Sequence, residues 1–499
     1  MTVDKDQVSR RWILGGVLAG VAAPVWAEAP LTWARPKRRG SAAVVDVPDA
    51  GGPDAGGLIQ AAKLGGTLGF VVADLETGRV LEAFNPDMPQ PPASVAKAMT
   101  SLFAMEKLGV THRFSTQVIA TGPVNGGRVD GDLVLVGSGD PTLTTDDLGD
   151  MAARLAAVGV RSVAGRYLIY AGALPAIPEI STDQPDYVGY NPAIGGVNLN
   201  FNRVNFEWKR VSGDYSITMD ARGERVLPFV EMARMKIVQR DRPLFTYEAG
   251  DGVDRWTVAS TALGKGGGRW LPVRHPAEYA GEVFRTLCVA QGISMPEAAL
   301  TAVRPVGTAL VDNRSDGLDI VLRDMLKFST NLTAEVVGLS STHAAGLAGS
   351  AEGMTDWAQK TFGISARFAN HSGLGGATRI SAGDMVKTLA GARSTVTGQI
   401  LPGILREIGM RDAKGKDIKD SPVRVRAKSG TLNFVSGLAG YLMPPKGPEL
   451  AFAIFAADTA RRDRLTEAER EQPDGGEAWT KRARRLQGQL ISRWAGLYA

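Results

Sequence analysis

The chain has 499 residues, 57 Lys and Arg against 52 Asp and Glu for a formal net charge of +5, and one cysteine. That length exceeds a single typical domain and predicts two or three, and a hydrophobic content of 44% excludes a disordered chain. A lone cysteine excludes an internal disulfide framework, and so small a charge excess, with no aromatic-basic motif beside it, argues against a nucleic-acid binder.

In chain order, Ser9-Arg10-Arg11-Trp12-Ile13-Leu14 and the apolar residues up to Ala23 resemble a twin-arginine export signal. We expect a signal peptide over 1–27, cut just after Ala27. Its apolar core, about eleven residues, is too short to span a bilayer; an uncleaved anchor is the alternative. A soluble protein of the bacterial periplasm is the expectation. Cys288, between Leu287 and Val289, reads as an apolar filler of the interior. Residues 28–57, rich in Pro, Gly, Ala and Arg without periodicity, read as a linker.

Leu68–Leu75 and Val80–Phe84 read as two strands joined by a tight turn at Glu76–Arg79. Pro91 and Pro92 then stop the chain, and Met99, Leu102, Phe103 and Met105 continue it as a helix that ends at Gly109. Ser94 and Lys97 share one face at the start of that helix. A serine hydroxyl becomes a good nucleophile when a nearby base takes its proton, and a lysine serves as that base once burial or a neighbouring cation lowers its pKa. The helix N-terminus adds backbone N–H groups suited to an oxyanion. Alone, a Ser-x-x-Lys match is expected on the order of once or twice by chance in such a chain, and an ordinary surface pair is the competing reading.

About two hundred residues separate this helix from the next informative stretch, more than a small helical subdomain needs, so inserted domain material is expected. Within it, Gly131–Leu143 reads as a strand ending in a glycine turn; the Lys-Ser/Thr ending of a phosphate loop is missing. A helix is expected near Asp146–Val158, strands near Arg166–Tyr170, over Asn198–Trp208, at Tyr215–Thr218 and at Trp256–Val258, a hairpin loop at Gly264–Gly268, and a helix near Ala277–Gln291. Beyond it, the apolar-periodic run Leu318–Phe328 leads to Ser329-Thr330-Asn331, a helix through Thr333–Leu339 and a polar turn at Asn370–Gly375, in which His371 reads as a turn residue with the cleft as its alternative. Val423–Lys428, Val435–Leu442 and Leu450–Ala457 predict an antiparallel meander, with Lys428-Ser429-Gly430-Thr431 continuing the first strand. Arg461–Gly476 reads as a solvated loop. The closing helix carries Trp479, Ala483, Leu486, Leu490 and Trp494 on one side, expected to pack on the sheet; peripheral contact with a membrane surface is the alternative for so basic a helix.

The order Ser-x-x-Lys, Ser-x-Asn, Lys-[Ser/Thr]-Gly is the signature of penicillin-binding proteins and β-lactamases. Together with Gly131-Asp132-Leu133, Gly139-Asp140-Pro141-Thr142-Leu143, Val197-Asn198-Leu199-Asn200 and Ser372-Gly373-Leu374, it resembles the three-domain D-alanyl-D-alanine carboxypeptidase/endopeptidase family of low-molecular-mass penicillin-binding proteins, from about Leu58 to the end. The resemblance implies an α+β fold: a β-lactamase/transpeptidase-like domain, an antiparallel sheet with flanking helices, interrupted by two nested smaller β-rich domains. The expected boundaries are 58–111 and 305–499 for the catalytic domain, 112–185 and 270–304 for the insert, and 186–269 for the nested piece.

What the resemblance implies for the site can be checked against what each side chain can do. Ser94 would attack the carbonyl between two D-alanines of a peptidoglycan stem peptide and form an acyl-enzyme. Lys97 would take its proton, helped by the second cation Lys428, Ser329 would relay a proton to the leaving amine, and Asn331 would hold the substrate backbone. Lys428 and Thr431, with Ser429 and Gly430 between them, would bind the terminal carboxylate, and the backbone N–H groups of Ser94 and Thr431 would form the oxyanion hole. β-Lactam antibiotics would acylate the same serine. No cofactor or metal is implied, and His112, His275, His343 and His371 show no ligand spacing. One departure bears on specificity. Where the family has Asp-Gly-Ser-Gly-Leu-Ser-Arg, this chain has Asn370-His371-Ser372-Gly373-Leu374-Gly375-Gly376, so the arginine that with Asp140 would meet the stem peptide's third residue is a glycine, and Arg379 is the nearest substitute. The competing functions are a secreted serine β-lactamase, against which the large insert and the lack of a recognisable deacylating Glu loop argue, and a catalytically silent cell-wall binding protein, against which the intact Ser94, Lys97, Asn331 and Lys428 argue.

Overall fold

The computed structural model describes residues 54–250, 252–411, 416–471 and 473–498, so the expected signal peptide lies outside the described residues. The main sheet has six antiparallel strands in the order Arg406–Ile408, Arg424–Leu432, Val435–Met443, Leu450–Ala457, Thr67–Asp74, Val80–Phe84. Leu450–Ala457 is buried at every position. It does not alternate because both faces of the sheet are covered. One face packs on the short helix Ala55–Ala62 and the closing helix Gly476–Tyr498, whose Trp479, Leu486, Leu490 and Trp494 are buried there. Packing on the sheet is thus the observed fate of that helix's apolar side. The other face packs on a helical layer formed by Ala96–Leu108, Leu318–Phe328, Asn331–Thr342, Leu347–Phe362 and Ala382–Ala392.

Glu82, fully buried on the last strand of the sheet, ties the closing helix down: it accepts from Trp494 Nε1 at 2.7 Å and from Arg493 Nε at 3.3 Å. Among the described residues no helix is long and apolar enough to cross a membrane.

A five-stranded mixed sheet in the order Ala298–Thr301, Tyr167–Tyr170, Leu133–Gly137, Ser115–Ala120, Thr308–Arg314 forms the insert, with helices Thr145–Ala157 and Pro276–Ala290 packed against each other beside it. Two three-stranded sheets, Asp214–Asp220, Arg203–Val211, Gly266–Pro272 and Ala233–Val238, Val253–Ala259, Phe245–Gly250, share its core. Cys288 is buried in that core, and burial pushes its thiol up to about 12.

Several expectations need correction. Thr308–Arg314 pairs with Ser115–Ala120, so the chain leaves the insert sheet after Arg314 and not at residue 305. Asn198–Asn202 is a turn and not the start of a strand. Asn200, Phe201 and Asn202 are left-handed there, and Asn202 Oδ1 accepts from Leu199 N at 3.0 Å, because asparagine side chains compete with ladder bonds for nearby backbone groups. Gly266–Gly268 lie in a strand opposite Glu207–Lys209 and not in a hairpin loop. The charged stretch after Asp458 contains helices Thr459–Asp463 and Glu467–Arg470 instead of an irregular loop.

Candidate active site

Three chain segments meet at one end of the main sheet. The chain reaches Ser94 through Ala93 in the left-handed region (φ 48°), a conformation that costs a non-glycine residue roughly 1–3 kcal/mol. A short turn of 3-10 helix, Ala93–Val95, precedes the helix that carries Lys97. Ser329 is likewise left-handed (φ 60°), at the junction where Leu318–Phe328 ends and Asn331–Thr342 begins. The strand Arg424–Leu432 brings the third segment, and Gly430 lets it come close: a Cβ there would sit 2.4 Å from the Pro92 carbonyl oxygen and 2.8 Å from the Ser94 nitrogen. A side chain at position 430 would push the two apart.

Lys97 is completely buried. Its Nζ donates to Ser94 Oγ at 2.9 Å, Asn331 Oδ1 at 2.7 Å and the Ser372 carbonyl at 2.8 Å. Burial, and then the nearby Lys428 cation, hold its pKa well below the ordinary lysine value, while Glu335 opposes the shift. Lys428 Nζ donates to Ser329 Oγ at 3.0 Å and to the Ser429 carbonyl at 2.7 Å. Burial and the Arg406 guanidinium lower its pKa to about 8. Asn331 is oriented from both sides, since its Nδ2 donates to the Tyr190 carbonyl at 2.9 Å. One of its two amide hydrogens is thereby used and the other remains.

Ser94, Ser329, Asn331 and Thr431 line one cavity of about 900 Å³, together with Tyr190, Leu374, Arg462 and Glu471. Lys97 and Lys428 are buried beside it. Ser429 contributes its carbonyl to Lys428 and is itself exposed, and Gly430 contributes clearance. Asp140 is not brought to the cavity: it is buried in the insert and accepts from Thr142 N at 2.8 Å and Thr142 Oγ1 at 2.6 Å. An adjoining cavity of about 290 Å³ has Asp183 and Asp463 as its carboxylates, with Arg379, Arg462 and Arg470 on the walls. Arg379 NH1 is turned onto the carbonyls of Gly376 and Thr378.

The rim is built jointly by the insert and the stretch after Asp458. Arg269 NH2 meets Glu471 Oε1 at 3.1 Å, Tyr187 donates its hydroxyl to Glu471 Oε2, and Arg470 NH1 donates to the Asp183 carbonyl at 3.0 Å. Sequence reasoning missed Asp183, Tyr190, Arg462 and Glu471, because charged and aromatic residues in loops, or in a helix as short as Thr459–Asp463, carry no periodic signal. The polar turn expected at Asn370–Gly375 is an interior one, with Asn370, His371 and Ser372 buried. His371 Nε2 lies 2.7 Å from Ser350 Oγ, and burial pushes its ring down to about 3, so it is neutral. Among the described residues no cluster of His, Cys, Asp and Glu could hold a metal ion.

The sequence profile of the D-Ala-D-Ala carboxypeptidase 3 (S13) family matches residues 57–481. A D-alanyl-D-alanine carboxypeptidase of Actinomadura sp. (strain R39) is 30% identical over 430 residues, 78% of this chain and 77% of that protein. The fold is similar to the crystal structure of penicillin binding protein 4 from Haemophilus influenzae, with a TM-score of 0.70 at 18% identity over 89% of this chain and 99% of that one. It is also similar to the same protein complexed with a novel β-lactam, with a TM-score of 0.66 at 19% identity over 88% and 99%.

Proposed function

The chain belongs to the D-Ala-D-Ala carboxypeptidase 3 (S13) family of serine-type carboxypeptidases, and from that premise we propose that it hydrolyses D-alanyl-D-alanine termini of peptidoglycan stem peptides through an acyl-enzyme on Ser94. The observation that carries the mechanism is the contact of Lys97 Nζ with Ser94 Oγ at 2.9 Å inside a buried setting that favours a neutral amine. Neutral Lys97 takes the hydroxyl proton as Ser94 Oγ attacks the carbonyl carbon of the penultimate D-alanine. The negative charge that develops on the carbonyl oxygen is met by the backbone N–H groups of Ser94 and Thr431, donors whose loss costs about a hundredfold or more in rate. Ser329, held by Lys428 at 3.0 Å, gives its hydroxyl proton to the departing nitrogen as the C–N bond breaks and receives in turn the proton that Lys97 took from Ser94, so Lys97 is neutral again. D-Alanine leaves, and water cleaves the ester as Lys97 takes a proton from it and returns that proton to Ser94 Oγ.

Lys428 and Thr431 grip the terminal carboxylate, and the remaining Asn331 amide hydrogen holds the acyl chain. Asp183, Arg379 and Arg462 flank the adjoining cavity and supply both signs of charge for the stem peptide's third residue. Cleavage of D-alanyl cross-links follows on the same site for cross-links whose leaving amine also bears a carboxylate. β-Lactams acylate Ser94. A transpeptidase-like domain of residues 58–111 with the chain after Arg314, in place of 305–499, and the insert with its nested piece between them, is the domain reading we propose, with export to the periplasm. The experiment is labelling by a fluorescent penicillin, expected in the wild type and lost in Ser94→Ala. Muropeptide mass spectrometry then follows D-alanine release from pentapeptides and conversion of cross-linked dimers to monomers. A folded wild type that is neither labelled nor active on pentapeptides overturns the proposal.

A further inference from the structure

Glu335 is a carboxylate with no exposed surface, in the middle of the apolar helix Asn331–Thr342, among Leu332, Ala334, Val336, Val337 and Leu339. Burying a carboxylate is costly unless it is fully partnered. Two successive backbone groups bind it, Oε2 accepting from His371 N at 2.9 Å and Oε1 from Ser372 N at 2.8 Å, and the Ser372 side chain bonds to it as well. The carbonyl of that same Ser372 accepts from Lys97 Nζ at 2.8 Å. The turn is pinned again by Thr100, whose hydroxyl donates to the His371 carbonyl at 2.6 Å. A close approach seats the imidazole: a Cβ at Gly338, one turn beyond Glu335, would lie 2.2 Å from the His371 ring.

We propose that Glu335 is the positioning residue for the lysine base: by clamping the His371 and Ser372 amides it sets the carbonyl that aims Lys97 Nζ at Ser94, and its negative charge limits how easily Lys97 gives up its proton. The inference rests on the Ser94–Lys97 reading above. The charged groups facing Lys97 are Lys428 from the strand Arg424–Leu432 and Glu335 from the helix Asn331–Thr342, and the two push its pKa in opposite directions. His371, from the turn, is neutral. A serine hydroxyl loses its proton to an amine only when the amine is both in line and uncharged. Glu335 controls the first through the turn and the second through its charge; burial raises the pKa of its own carboxyl, and the Ser372 hydroxyl, the two turn amides and Lys97 favour the ionised form against that burial.

The test is the pH dependence of the second-order rate of acylation by a fluorescent penicillin in two variants, with far-UV circular dichroism to confirm folding. Glu335→Gln keeps the shape but removes the charge and turns one acceptor into a donor facing a backbone N–H. Its acid limb moves to lower pH while the plateau falls about ten- to a hundredfold. Glu335→Asp keeps the charge on a shorter stem, so its plateau falls with the acid limb unmoved. An acid limb in Glu335→Gln that coincides with the wild type overturns the proposal, as does a full plateau in Glu335→Asp. Should Glu335→Gln fail to fold, the Glu335→Asp plateau decides. Failure here is distinct from failure of the functional reading, which would appear as absent labelling of the wild type or labelling that survives Ser94→Ala.

Discussion

The carboxylate grip predicts a basic limit to activity set by Lys428. The group is buried, and burial together with the Arg406 guanidinium brings its pKa from 10.5 down to about 8. Binding of an anionic terminus needs the ammonium charged, so activity is present below this value and lost as pH rises through it. With a pKa of about 8, the charged fraction is about ten in eleven at pH 7 and about one in eleven at pH 9, so kcat/KM falls about tenfold between them. Arg406 is a like charge on the neighbouring strand, paired with Ala427. Removing it in Arg406→Gln raises the Lys428 pKa and moves the basic limb to higher pH, while the buried setting is retained. The assay is D-alanine release from a diacyl-D-Ala-D-Ala peptide under kcat/KM conditions, at low and constant ionic strength so that the Arg406 effect is not screened. A flat profile through pH 9.5, or a limb that Arg406→Gln leaves in place, would refute the reasoning.

Two more outcomes follow from the closing helix. Glu82→Ala leaves the Trp494 indole N–H without its acceptor at 2.7 Å and Arg493 without its buried carboxylate, and should cost about 3–5 kcal/mol in denaturant unfolding; a loss under about 1 kcal/mol would mean the pair is dispensable. Arg484 NH2 donates to Thr431 Oγ1 at 3.2 Å. Its removal in Arg484→Ala should raise KM for a substrate with a free C-terminal carboxylate by about threefold to tenfold, with little change for the methyl ester, and equal effects on both would point to a structural cause.

Ser94, Lys97, Ser329, Asn331 and Lys428 were legible from spacing, because each is fixed within a few residues of a helix start, a helix junction or a strand end. The meander Val435–Met443 and Leu450–Ala457 and the helix Leu318–Phe328 were legible for a related reason: burial on two faces, or on one, leaves an apolar run or a period in the sequence. Glu335 left a usable trace, a lone carboxylate inside an apolar helix, which sequence reasoning passed over.

Sequence alone determined the order of the three motifs, the presence of a large insert and the class of chemistry, since these depend on residue types and local spacing. Only the tertiary structure decided that Asp140 is an interior residue and Asp183 a wall of the second cavity, that the turn at His371 is buried, and that Tyr190 from the insert holds the Asn331 amide. Those facts depend on which distant segments pack together. Local patterning carries no record of such contacts, because any loop of similar polarity would satisfy the same local rules.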